Sequence, residues 1–71
     1  MHPIEVLCKE RNISRYKLAK DSGVAETTLN MMINRNTRFG RMPVENFFNI
    51  SNSLGLDMNE LYAYLKKIEE N

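Results

Sequence analysis

The apolar positions of this chain fall in short stripes at helical spacing, separated by polar breaks. Ile4, Leu7 and Cys8 recur at i, i+3 and i+4, which predicts a helix over residues 3–11 with Pro3 in its first turn. Asn12 can take the left-handed conformation that ends it. Leu18 and Ala19 mark a second helix, opened by Ser14 as a hydroxyl N-cap and stopped by Gly23. Leu29, Met32 and Ile33 repeat the same spacing in a third, beginning near Ala25. Residues 34–42, mostly polar, basic and interrupted by Gly40, read as a loop. Pro43 opens a fourth helix whose inner side is Val44, Phe47, Ile50, Ser51 and Leu54. Gly55 closes it and Leu56 folds back over its end. Asp57 and Glu60 have capping-box spacing for a fifth helix striped by Leu61, Leu65 and Ile68, with Tyr62 and Tyr64 beside the stripe. No stretch alternates with period two, so the chain reads as all-α, one domain of five short helices over residues 1–71.

The 71 residues can bury only a small core, and composition supplies no covalent staple. There is a single cysteine, Cys8, and a single histidine, His2, which the sequence places in a frayed N-terminus. Neither a disulfide nor a structural zinc site can be built from them within one chain, so stability is expected from helix packing, oligomerisation or both. An unpaired cysteine suits a reducing compartment. With no membrane-length apolar run and no signal-peptide pattern at "MHPIEVLCKE", the expectation is a cytoplasmic protein without a membrane partner.

Net charge is only +1, but its distribution is uneven. Residues 1–41 carry eight basic and four acidic side chains, a net +4, and residues 42–71 carry two and five, a net −3. A basic half suits a polyanion. The chain has no phosphate-binding glycine loop, no metal-ligand cluster and no histidine beyond His2, which argues against an enzyme and against a cofactor or metal.

One corner organises the motif. In "KLAKDSGVAETTLNMM", Gly23 separates two helical stretches, and Val24 follows it as a buried plug. Residues 15–34, "RYKLAKDSGVAETTLNMMIN", resemble the helix-turn-helix of the Cro/phage-repressor family of DNA-binding regulators. Ala19 stands where two helices touch and only a small side chain fits, and Gly23 stands four residues later at the turn. Leu18, Val24, Leu29 and Met32 occupy the positions that fix the angle between the helices. The likeness continues through "FFNISNSLGLDMNELYAYL" and covers about residues 3–66. It departs from the family pattern at Ala25, where a Ser or Thr cap is common, and in the loop after the third helix, which is about two residues longer than usual.

The resemblance implies a lambda-repressor-like DNA-binding domain, with helices 2 and 3 forming the motif and helix 3 lying in the major groove of double-stranded DNA. It places Glu26, Thr27 and Asn30 at the base edges, where Asn pairs with adenine, Thr bonds or meets a thymine methyl, and Glu accepts from cytosine N4. Glu26 has a second reading as a helix-start carboxylate. Phosphate contacts are expected from Ser14, Arg15, Tyr16 and Lys17 before the corner and from Asn34, Arg35 and Arg38 after helix 3.

One such domain reads too few bases for genomic specificity, so the resemblance implies a homodimer, at least on DNA, and a palindromic or pseudo-palindromic operator. The surfaces considered for pairing are the loop with Phe39 and Met42, and the outer side of helix 5 with Tyr62 and Tyr64. No sensor domain is apparent, so no small-molecule ligand is expected, and the function that fits is a small repressor of transcription. A different class uses the same helices: an antitoxin or another protein-interaction module that binds DNA weakly and has a protein partner. Glu26, the uncapped Ala25 and the modest net charge are the features that favour it.

Overall fold

The computed structural model describes residues 1–70. Five α-helices follow one another: α1 (Pro3–Glu10), α2 (Arg15–Ser22), α3 (Glu26–Asn34), α4 (Val44–Ser53) and α5 (Met58–Glu70). A single 3₁₀ turn, Phe39–Arg41, lies between α3 and α4. Among the described residues there is no strand, so the all-α expectation holds, with boundaries shifted by a residue: α1 ends at Glu10 and α3 begins at Glu26.

Helices α1, α3 and α4 are each closed by a left-handed residue just past the end. After α1, Asn12 takes φ +56° and the Ile13 N–H reaches the Cys8 carbonyl at 2.9 Å. After α3, Asn36 takes φ +53° and Thr37 N–H bonds the Met32 carbonyl at 2.9 Å. Gly55 at φ +72° does the same for α4, with Leu56 N–H on the Ser51 carbonyl at 2.9 Å. A left-handed residue followed by this long backward bond satisfies carbonyls that a helix end leaves open. The start of α5 is the expected reciprocal box, with Glu60 N–H on Asp57 Oδ1 at 2.7 Å and Asp57 N–H on Glu60 Oε1 at 3.0 Å.

The core gathers Ile4, Leu7, Leu18, Leu29, Ile50, Leu61 and Leu65, all fully buried, with Cys8, Ala19, Val24, Met32 and Phe47 around them. α2 packs chiefly on α4, and α1 on α5. α2, which carries Leu18 and Ala19 into the core, is thus packed against both α4 and α3.

Three expectations are corrected here. His2 is not frayed: only 5% of it is exposed. Its Nδ1 accepts the Ile4 N–H at 3.1 Å and its backbone N–H bonds Glu5 Oε1 at 3.1 Å, a capping box made by an imidazole in place of a hydroxyl. Phe39 and Met42 do not form an outer surface; the 3₁₀ turn swings both into the core, where Phe39 meets Tyr62 edge-to-face at 5.4 Å between centroids. Val44, assigned to the inner side of α4, is 72% exposed, because the first turn of that helix projects past the core.

Candidate nucleic-acid interface

The corner between α2 and α3 positions the site. Gly23 adopts φ +78° and its N–H closes α2 on the Ala19 carbonyl at 2.8 Å. An L-residue there would place its Cβ near a carbonyl oxygen, at a cost of about 1–2 kcal/mol, although the space beside Gly23 is open. Ser22 tightens the same corner: its hydroxyl oxygen accepts the Val24 N–H at 3.2 Å. Val24, Leu29 and Met32 are buried against Leu18 and Ala19, so the expected motif residues share one packing unit and hold α3 at a fixed angle.

That packing turns the other side of α3 outward. Glu26 and Thr27 in its first turn are exposed, as are Thr28, Met31 and Asn34. Ala25 makes no side-chain cap bond. The first-turn N–H groups of α3 thus lack a side-chain acceptor at Ala25, which leaves the helix start open to an external one. Thr28 does not turn back to be buried against α2.

Basic side chains stand on α2 and after α3, and several are held by specific contacts. Ser14 caps α2, accepting the Lys17 N–H at 3.0 Å. Tyr16 is exposed beside it. Lys17 pairs with Asp21 at 2.9 Å across one turn, and Arg38 pairs with Glu69 of α5 at 3.3 Å. Both pairs are at the surface and hold their cations with little energy, so a phosphate can displace the carboxylate. Arg35 caps the end of α3 through its backbone, with an exposed side chain.

Arg15 is held differently. It is half-buried, and its guanidinium is engaged on two sides: Nη2 donates to Glu5 Oε2 at 3.1 Å and Nη1 to Asn30 Oδ1 at 2.9 Å. Asn30 is thus half-buried and already bonded to the helix before the corner. This link was not anticipated from the sequence. Glu5 carried no local signal, because its box partner is an imidazole, and the meeting of Arg15 and Asn30 depends on the angle between α2 and α3, which no local pattern specifies.

Among the described residues no group of His, Cys, Asp and Glu side chains is placed to hold a metal ion, and no helix is long and apolar enough to cross a membrane. What the face offers chemically is hydrogen-bond donors and acceptors on a packed helix, with the Arg15 guanidinium bonded to Asn30. The family of the Cro/C1-type HTH DNA-binding domain matches residues 3–67. Neither the curated proteins nor the solved structures contain a match to the chain.

Proposed function

The chain belongs to the Cro/C1-type HTH DNA-binding domain family, and from that membership we propose that it is a cytoplasmic, sequence-specific repressor of transcription that binds a palindromic or pseudo-palindromic operator as a homodimer. The observation that carries the reading is the outward first turn of α3, held by the buried Leu18, Ala19, Leu29 and Met32; basic side chains on α2 and after α3 (Arg15, Lys17, Arg35 and Arg38) support it. In it α3 enters the major groove, with Glu26, Thr27 and Asn30 at base edges. Ser14, Arg15, Tyr16, Lys17, Asn34, Arg35 and Arg38 contact phosphates, setting register and the salt-dependent part of affinity.

Pairing of two copies uses the exposed apolar groove bounded by Val44, Met58 and Tyr62, since Phe39 and Met42 form its buried floor. The same groove supports a second reading, in which a protein partner of another kind occupies it and the domain serves as an antitoxin or adaptor. Selection of bound duplexes from a random DNA pool separates the two. A symmetric enriched motif is the result for the repressor; recovery of unenriched DNA removes the sequence-specific reading. Sedimentation of the complex on the selected duplex then gives two subunits per site, and one subunit per site contradicts the homodimer.

A further inference from the structure

We infer that Glu5 and Arg15 are positioning residues that set the base preference of Asn30. They do so by holding the Asn30 amide with its oxygen turned toward α2 and its NH2 left to donate. The inference rests on the reading in which α3 faces base edges.

Arg15 is a donor only, so the amide atom facing Nη1 at 2.9 Å must be the oxygen. A lone exposed asparagine can rotate its amide by half a turn and offer either group. Here that rotation would set NH2 against guanidinium, donor against donor. The Arg15 fork is fixed in turn by Glu5, whose two carboxylate oxygens are divided between tasks. Oε1 accepts the His2 backbone N–H at 3.1 Å, and Oε2 accepts Arg15 Nη2 at 3.1 Å. The chain of contacts runs from the start of α1, through the start of α2, to the middle of α3. Its consequence for recognition is directional. A fixed NH2 meets a base edge carrying an acceptor, such as guanine N7 and O6, adenine N7 or thymine O4, and is mismatched to the N4 amino group of cytosine.

The division of the Glu5 oxygens supplies the test. Glu5→Gln can keep Oε1 on the helix cap, but it puts an NH2 where Oε2 faced Arg15. One amide oxygen cannot serve both donors, so the ion pair and the divided grip that fix the Arg15 fork are lost. Arg15→Lys is the second variant: it keeps the positive charge but not the planar fork. Each folded variant is carried through duplex selection from a random pool, beside the wild type, Asn30→Ala and the double variant Glu5→Gln/Asn30→Ala, with melting curves recorded for all. The expected result is a loss of preference at one motif position, the same one lost in Asn30→Ala, by about twofold or more, with the other positions retained. Glu5→Gln then changes nothing further in the Asn30→Ala background. A wild-type motif that Glu5→Gln and Arg15→Lys leave unaltered, or weaken evenly at all positions with a lowered melting temperature, overturns the inference alone and leaves a structural ion pair. A wild type that enriches no motif overturns the base-reading function and this inference with it.

Discussion

The imidazole Nε2 of His2 lies 2.7 Å from the carbonyl oxygen of Thr37, while Nδ1 of the same ring caps α1 on the Ile4 N–H. Nδ1 accepts, so Nε2 carries the proton and donates. One side chain therefore joins the start of α1 to the chain leaving α3. His2→Ala removes both bonds and is expected to cost about 1–3 kcal/mol, read from the shift of a urea midpoint at constant slope. His2→Asn restores a cap acceptor but is too short to reach Thr37, so it recovers part of the loss. Full recovery by Asn means that the Thr37 bond contributes nothing.

Ala25 precedes α3 with an extended backbone, φ −58° and ψ 137°, and no side-chain bond to the helix. A serine at that position can accept a first-turn N–H without moving the chain. Ala25→Ser is expected to stabilise the domain by about 0.5–1 kcal/mol. In a domain of this size that raises Tm by roughly 2–8 °C, measurable by circular dichroism. An unchanged or lowered Tm shows that the start of α3 is satisfied some other way.

Burial raises the pKa of Cys8, opposed by the nearby Arg15 guanidinium and aided by Glu5. Folding therefore favours the protonated thiol. The unfolded chain loses its proton first as pH rises, so stability is fully present below the ordinary thiol range and declines as pH climbs through and above it. Tyr64 adds the same sign at higher pH, raised first by desolvation and then by its hydrogen bond to Glu10. At pH 7 native Cys8 is expected to resist iodoacetamide and to react when the chain is unfolded, as followed by intact mass. Rapid labelling of the native protein contradicts its burial. From pH 8 to 9.5 the urea midpoint should fall, and Cys8→Ala should flatten that fall.

The helices were legible where apolar spacing and a chain-ending residue agreed. Gly23 and Gly55 each stand at the end of a stripe, and both take the left-handed conformation expected of them. The misses share a cause. His2 caps a helix with an imidazole, a residue type that local pattern does not associate with capping. Phe39 and Met42 carry an i, i+3 repeat, which is the period of a single 3₁₀ turn and too short to stand out in a basic loop. Val44 has the spacing of its neighbours but sits in the first turn, where a helix can outrun the core it packs on. In the candidate site, the packed half of the helix-turn-helix was readable, because Leu18, Ala19, Leu29 and Met32 obey steric rules within one stretch of chain. The Glu5–Arg15–Asn30 brace was not, because it joins three helices whose mutual angles are a tertiary property.

Whether the exposed face of α3 reads DNA sequence is decided by titrating the protein against its selected duplex and a scrambled duplex of equal length, at two salt concentrations. Sequence reading gives a specificity ratio of about 10³ or more, with both affinities falling as salt rises. Equal affinity for the two duplexes at both salt concentrations contradicts it.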